Sequence, residues 1–336
     1  MRDFDYSVAE RTEDAFTANG ADIFTVAGGT ELLNWMRLGI AAPTTLVDIG
    51  RLDDLRAIRQ AGDVIEIGAL ATLNEIGAHA TVKEHARALS QACLAAASPQ
   101  VRNRATIGGN LLQKTRCVYF RAEAPLPWGC NKREPGTGCA AREGLNERHA
   151  VFGWTDQCVA THPSDPAVAL AALDAEVDLH GPEGARRLPV RDLHLSQEEA
   201  AAIASDSPQA AATIETRLKP GEVILRYLVP VTGARSAYVK VRERASYEYA
   251  LVSAAAAIRL EGGRIARASI MLGSVAQKPW PLSVDGIIGL PPERAALLPV
   301  LRQNLADARP LEHNRYKIAM AAGAAMRALV EAGDLQ

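Results

Sequence analysis

The sequence predicts an α+β protein built from at least two lobes, and three observations carry that expectation. The chain has 336 residues, beyond the size at which one hydrophobic core normally keeps growing. Strand-like and helical segments are interleaved through its first part, whereas its last third reads as a run of strands followed by two helices. Between Thr106 and Asp165 lies a long stretch with little hydrophobic periodicity, which needs some tie other than a core of its own.

Composition narrows the class. Forty-eight per cent hydrophobic and 23% charged residues are globular values, and a formal charge of −2 offers no basic surface for nucleic acid. No apolar run approaches the roughly 20 residues that span a bilayer. The stretch from Met1 to Ala9 carries Arg2, Asp3 and Asp5 without an apolar segment, so no secretory signal of its own is expected. Five cysteines, four of them in one segment, favour metal or redox use over a secreted disulfide framework and point to folding in a reducing compartment.

From the N-terminus, Ser7 to Asn19 reads as a short helix with apolar positions at Val8 and Phe16, followed by a turn through Gly20. Ile23 to Ala27 suits a buried strand, and Glu31 to Leu38 is helical in character. Gly28-Gly29-Thr30 therefore falls at a strand-to-helix junction. Glycines there permit close backbone approach, and free N–H groups at the helix start favour an anionic oxygen such as a pyrophosphate. A plain tight turn would use the same residues, and the G-x-G-x-x-G fingerprint is absent.

Thr45 to Ile49 and Val64 to Leu70 read as strands, with a hairpin turn at Ala61-Gly62-Asp63 before the second. Thr72 and Glu75 form a capping box for a helix through Ala78. Val82 to Ala97 reads as one helix whose apolar face includes Ala86, Leu89 and Cys93, so Cys93 is assigned to the core. Ser98 to Arg104 then leads into a second glycine turn, Thr106-Ile107-Gly108-Gly109-Asn110, flanked by Arg102 and Arg104. Two such turns point together to a single diphosphate cofactor.

Beyond the cysteine segment, Ser164 or Asp165 caps a helix with Pro166 at its first position, running to about Leu173. Val177 to Leu179 and Arg187 to Val190 form a hairpin around His180-Gly181-Pro182, and Ser196 to Ala212 reads as a surface excursion containing a helix. Lys219-Pro220-Gly221-Glu222 is a turn and a domain boundary. Strands follow at Val223 to Val229, Ser236 to Arg242, Ala250 to Leu260 and Ile265 to Leu272, with Glu261-Gly262-Gly263 turning the last pair. Two helices end the chain, about Pro292 to Leu305 and Arg315 to Ala332, the second with a packed stripe of Ile318, Ala322, Ala325 and Leu329.

Cys117, Cys130, Cys139 and Cys158 offer four thiolates, a set that suits zinc or an iron–sulfur cluster. Spacing alone leaves the metal open, because no C-x-x-C pair is present, and a structural zinc site would order the loop equally well. His149 and His162 lie in the same segment as substitute ligands or as ordinary hydrogen-bonded histidines.

The runs Ala27-Gly28-Gly29-Thr30-Glu31-Leu32, Thr106-Ile107-Gly108-Gly109-Asn110-Leu111, Tyr238-Val239-Lys240-Val241-Arg242 and Tyr249-Ala250-Leu251-Val252-Ser253 resemble the FAD-binding subunit of the molybdenum hydroxylases. The resemblance covers nearly the whole chain in the family's order. It implies a two-part FAD-binding domain over residues 1–220, with a Cys-rich loop at about 114–163, and a smaller α/β C-terminal domain over 221–336. It also implies FAD contacts at Val26, Ala27, Gly28, Gly29, Thr30, Glu31, Leu32, Thr106, Gly108, Gly109, Asn110, Asp165, Ile224 and Lys240. A cation such as Lys240 near the flavin N1–C2 edge would stabilise the anionic reduced ring, although a strand-end lysine is commonly just solvated.

The phrases around Cys117, Cys130, Cys139 and Cys158 are similar to flavin subunits of bacterial periplasmic aldehyde oxidoreductases that carry an extra [4Fe-4S] cluster, and imply those four cysteines as its ligands. The implied function is an electron-transfer subunit of a heterotrimer. A molybdenum-cofactor large subunit would oxidise an aldehyde, a [2Fe-2S] small subunit would assist, and electrons would leave from FAD to an external acceptor. Export, where it occurs, would follow cytoplasmic assembly and ride on a partner's signal. The alternatives are the flavin subunit of a 4-hydroxybenzoyl-CoA reductase or xanthine dehydrogenase-like enzyme, a self-contained flavoprotein with a zinc loop, and a non-enzymatic nucleotide-binding scaffold.

Overall fold

The chain begins with a small parallel sheet, seen in a computed structural model that describes residues 2–16 and 22–334. Its elements are β1 (Asp5–Val8), α1 (Thr12–Phe16), β2 (Ile23–Val26), α2 (Leu32–Arg37) and β3 (Thr45–Asp48), with strand order β1-β3-β2. Ser7 and Val8 belong to a strand and not to the expected helix, because pairing with Val47 and Asp48 in β3 overrides their local preference. The expected end of that helix beyond Phe16 and the turn through Gly20 lie outside the described residues.

A second unit follows, with β4 (Ile58–Ala61), β5 (Val64–Gly68), and helices α3 (Leu73–Ala78), α4 (Ala80–His85), α5 (Arg87–Ala95), α6 (Pro99–Arg102), α7 (Ile107–Leu111) and α8 (Asp165–Ala172). It continues with β6 (Glu176–Gly181), β7 (Gly184–Pro189), α9 (Val190–Leu193), α10 (Gln197–Ile203) and β8 (Val223–Pro230). The sheet is antiparallel in the order β4-β5-β8-β6-β7. The Thr72–Glu75 capping box is present, with Thr72 N–H donating to Glu75 at 2.8 Å. The single helix expected over 82–97 is two, broken at the buried Ala86 (φ −137°, ψ 50°), which lets Val82 of α4 and Leu89 of α5 enter one core. Cys93 is fully buried in that core, as its place on the apolar face requires.

Two further expectations change. The stretch from Ser196 to Ala212 is packed inward, since Gln197, Ala200, Ala211 and Ala212 are buried. Strand β8 starts just after the turn read as a boundary, yet pairs with β5 and β6, so the chain changes sheet between Pro230 and Arg235.

The third unit holds β9 (Arg235–Val241), β10 (Val252–Glu261), β11 (Arg264–Gly273) and β12 (Trp280–Pro281) in one antiparallel sheet, followed by α11 (Arg294–Gln303) and α12 (Tyr316–Gly333). Gly262 and Gly263 turn the β10–β11 hairpin, both with positive φ, as that tight connection demands. Strand alternation decides the layering. Tyr238, Ala255 and Met271 face α5 and α8, while Val239, Ala254, Ala256 and Leu272 face α12. Small residues on both partners, such as Ala254 and Ala256 against Ala321, Ala325 and Ala328, let helix and sheet approach closely. Ala322, Ala325 and Leu329 are fully buried and Ile318 packs at their edge, so the predicted stripe is core.

Among the described residues, no helix or named strand lies between Leu111 and Asp165. That segment is the cysteine loop, and it crosses the faces of all three units.

Candidate functional site

The two glycine turns meet. A Cβ on Gly28 would fall 1.9 Å from the Arg104 carbonyl oxygen, so only glycine lets the first turn rest on the chain that leads into the second. Gly29 has φ +72°, a left-handed conformation that favours glycine. The second glycine pair lies within the first turn of α7, with Thr106 as N-cap accepting from Gly109 N–H at 3.3 Å. A Cβ on Gly109 would meet nothing of the chain closer than Thr106 Oγ1 at 3.1 Å. Gly109 therefore keeps a space open that the protein itself does not fill.

That space is a cavity of about 720 Å3 bounded by β2, α7, the start of β8 and the segment 213–216. It is of the size that holds a cofactor. Of the fourteen positions implied for FAD, Val26, Ala27, Gly28, Gly29, Thr30, Glu31, Leu32, Thr106, Gly108, Gly109 and Ile224 line it. Asn110, Asp165 and Lys240 do not. Asn110 Oδ1 accepts from Ser164 Oγ at 2.7 Å, which joins the second glycine turn to the N-cap of α8. Asp165 and Lys240 are buried against one another at 2.7 Å, with Lys240 Nζ also donating to the Ala95 carbonyl and Tyr238 hydroxyl bonded to Asp165. Burial, and then the Asp165 charge, push the Tyr238 hydroxyl well above its ordinary range.

Several cavity residues were not among the expected flavin contacts. His162, read above as a substitute ligand or an ordinary histidine, and His194 pack with tilted rings whose centres are 4.2 Å apart, and both line the cavity. His194 Nε2 is 2.8 Å from the Leu111 carbonyl, so it carries the ring proton. Burial lowers His194 to about 4 and His162 well below its usual value, leaving two neutral rings on the wall. Thr213 to Thr216 supply another wall, and Glu215 in that segment binds Lys132 at 2.8 Å and Lys114 at 2.5 Å. Burial works to raise the Glu215 carboxyl, but the two lysines outweigh it and hold it at about 2. Glu31 is likewise occupied by the chain, accepting from Trp35 Nε1 and Arg116 at 2.8 Å and from Arg121.

The four cysteines implied as ligands come together. Cys117, Cys130, Cys139 and Cys158 line one small cavity with Phe120, Asn131, Lys132 and His149. A β-bridge pairs Cys130 with Cys139, and His149 Nε2 is 3.1 Å from Cys117 Sγ. His162, by contrast, faces the larger cavity. The Cys158 thiol bonds to Cys139 and lowers it to about 6, while that bond and burial raise Cys158; burial pushes Cys117 up to about 12 and raises Cys130. A set of four thiolates in this place therefore needs a cationic centre to hold it. No three His, Cys, Asp or Glu side chains among the described residues converge as ligands of a single ion. Cys139 and Cys158 bond to one another, and all four cysteines line the same small cavity.

Polar contacts replace regular structure in this loop. Asn131 is buried, donating to the Gln157 carbonyl at 3.0 Å and accepting from Gly136 and Gly138 N–H at 3.0 and 2.8 Å. Arg133 donates to the Phe120 and Ala122 carbonyls. Lys317 of α12, fully buried, donates to the His149 carbonyl at 2.8 Å.

Similarity to known proteins agrees with this geometry. The family profile for the FAD binding domain in molybdopterin dehydrogenase matches residues 2–232, and that for the CO dehydrogenase flavoprotein C-terminal domain matches residues 237–332. The chain is 42% identical over 311 residues to the aldehyde oxidoreductase FAD-binding subunit PaoB of Escherichia coli (strain K12), spanning 91% of this chain and 90% of that protein. It is 27% identical to the carbon monoxide dehydrogenase medium chain of Hydrogenophaga pseudoflava, over 92% and 89% of the two chains. A solved structure of the Hydrogenophaga pseudoflava enzyme superposes with a TM-score of 0.72 at 25% identity, covering 98% of this chain and 96% of that one. No helix among the described residues is long and apolar enough to cross a membrane. A cavity kept open by two glycine turns, matched end to end by both family profiles, makes this chain a member of the FAD-binding medium-subunit family of the molybdenum hydroxylases, and so a flavin subunit of an oxidoreductase.

Proposed function

We propose that this chain is the electron-transfer subunit of a molybdenum-dependent aldehyde oxidoreductase, with FAD in the glycine-lined cavity and a [4Fe-4S] cluster on Cys117, Cys130, Cys139 and Cys158. Its partners in this reading are a molybdenum-cofactor large subunit and a [2Fe-2S] small subunit, with an external acceptor taking the electrons. The observation that carries the reading is the gathering of four thiols, spread over 42 positions of sequence from 117 to 158, around one cavity beside the flavin cavity. The likeness to an aldehyde oxidoreductase subunit over nine-tenths of both chains supports the choice of substrate class.

The residues present offer a glycine-lined cradle for FAD and four thiol donors for a cluster. Gly109 leaves open the volume that a diphosphate would take, and Gly29 holds the backbone shape of the first turn. Bound FAD would supply a carrier that accepts two electrons, and a bound cluster a carrier that moves them singly. The chain's own part is to hold both out of bulk water and at fixed separation. Phe120 closes the thiol cavity at 2% exposure, while Lys132, Lys114 and Glu215 form the partition between the two cavities.

A structural zinc ion on the same four thiols is the second reading, and metal content separates the two. The test is metal, sulfide and flavin analysis of the anaerobically purified complex, read alongside the isolated chain. About four iron atoms and four sulfides per FAD in this chain are expected; stoichiometric zinc without iron overturns the cluster and leaves the flavin assignment standing.

A further inference from the structure

Two of the three carboxylates that line the flavin cavity, Glu31 and Glu215, are held by cations of the cysteine loop, while the third, Glu222, pairs with Arg186. Arg116 and Arg121 bind Glu31, and Lys114 and Lys132 bind Glu215. Lys132 is the most deeply placed of the four, with 3% of its side chain exposed. Its ammonium donates to Glu215 and to the Ala212 carbonyl, both at 2.8 Å, while its side chain also lines the thiol cavity. One residue thus touches the walls of both cavities.

The backbone of Lys132 is fixed by the thiol site. Arg133 and Glu134 N–H both donate to the Cys130 carbonyl at 2.9 Å, closing a turn that begins at the cysteine. Asn131, next to it, ties this turn to Gly138 beside Cys139 and to Gln157 beside Cys158. Drawing Cys130, Cys139 and Cys158 together on a metal centre would stiffen this turn and so fix Lys132 under Glu215; without it only the turn's own hydrogen bonds hold the lysine there. Withdrawing Lys132 would leave Glu215 with Lys114 alone, and losing one cation from a largely buried pair is costly because part of the carboxylate charge stays desolvated. The segment 213–216 would then shift to take Glu215 to water and deform the flavin cavity.

We propose that Lys132 is a positioning residue that makes FAD retention depend on the occupied thiol site. The inference rests on the function proposed above, and concerns a link between its two sites. Thermodynamic reciprocity requires the converse, that bound FAD also strengthens retention of the metal centre.

The experiment compares the assembled complex carrying wild type, Lys132→Met, Lys132→Arg or Glu215→Gln in this chain. Iron is measured by metal analysis and FAD dissociation by the rise in free-flavin fluorescence. Lys132→Met keeps all four thiols, so iron is expected at the wild-type level while FAD is released at least roughly tenfold more readily, within the usual range of coupling between sites. Lys132→Arg restores the cation and is expected to recover most of the retention, which a merely space-filling role for Lys132 would not produce. Glu215→Gln, which leaves the loop's own contacts intact, tests the link from its other side and is expected to weaken FAD similarly. Cys139→Ser is expected to weaken FAD as well, with Lys132→Met adding little in the double variant.

Full iron and wild-type FAD release in both Lys132→Met and Glu215→Gln overturns the coupling while leaving the cluster assignment untouched. Absence of iron from the wild-type chain overturns the cluster instead, and the response of FAD to Lys132→Met then still decides the link. Equal loss in Lys132→Met and Lys132→Arg also overturns it, since charge would not be what the position requires.

Discussion

The flavin cavity and the cysteine loop are neighbours built on opposite principles. The cavity is framed by β2, β8 and α7, elements that are secured by shared hydrophobic cores, and glycine keeps its interior clear. The loop from Leu112 to Ser164 has no helix or named strand, and its buried interior includes Asn131, Asn146 and His149 beside the thiols. A wall made of core-packed elements exists before its ligand arrives. The loop joins a core at Val151 and Phe152, but around the thiols it is pinned by single polar contacts and lacks that security, since each net hydrogen bond contributes only about 1 kcal/mol against the ordering of its residues. The larger cavity is therefore specified by the fold, whereas on the proposed reading the smaller one is completed by its ligand.

The largest expected effect breaks the loop and spares the core. Changing Cys117, Cys130, Cys139 or Cys158 to Ser is expected to remove most bound iron and to loosen residues 112–164, because ligation free energy is folding free energy where a site is assembled by its metal, on the order of 10 kcal/mol in small zinc domains. Cys93→Ser is the control. Its thiol is fully buried in the core of α3, α5 and α8, so stability falls by about 1–3 kcal/mol for the buried hydroxyl while iron is unchanged. Metal content and hydrogen exchange across the loop read both arms; iron lost in Cys93→Ser as well would show that the loop is not independent of the core.

A second contrast acts on the cavity. Gly109→Val adds a side chain whose Cβ crowds only Thr106 Oγ1, at 3.1 Å, and whose methyls enter the cofactor's space, so flavin affinity is expected to drop by about a hundredfold, near 3 kcal/mol, with a smaller loss of melting temperature in the flavin-free protein than Gly28→Ala causes. Gly28→Ala instead drives a Cβ into the Arg104 carbonyl, and damages fold and flavin content together. Flavin titration and thermal melts of both variants separate a space kept for the ligand from a space kept for the chain. Equal loss of stability in the two would remove that distinction.

The same contrast explains what could be read from the sequence. Glycine pairs at Gly28-Gly29 and Gly108-Gly109 declare themselves locally, since backbone approach and positive φ are written in single residues. Alternation in Ser236–Arg242 and Ile265–Leu272 and helical spacing in α12 declared the third unit for the same reason. Lys132 and Glu215 are 83 positions apart and neither lies in a pattern, so their pairing had no local trace. The wall at 213–216 and the meeting of His162 with His194 were invisible on the same account, and the pairing of β8 with β5 depended on contacts across more than 150 residues. Regular structure is legible because its signal repeats. A site made by single side chains from distant segments is not.

The smallest effect sharpens the comparison at the joint between loop and core. Lys317 of α12 is fully buried, donates to the His149 carbonyl at 2.8 Å and the Ser274 carbonyl at 2.5 Å, and so anchors the loop to the third unit. Burial, helped by the Arg148 charge, lowers its ammonium from 10.5 to about 7. Between these values the unfolded chain binds more protons than the folded one, so stability from this group rises with pH, is fully present above 10.5 and is lost as pH falls through about 7. Relative to Lys317→Met, which lacks the titration but keeps the volume, wild-type protein should gain about 2 kcal/mol between pH 7.5 and 9, a few degrees in Tm. Melting curves of the two proteins in matched buffers across that window are the measurement. Parallel curves would show that Lys317 keeps its proton throughout, and that the loop is anchored to α12 by a permanent buried cation.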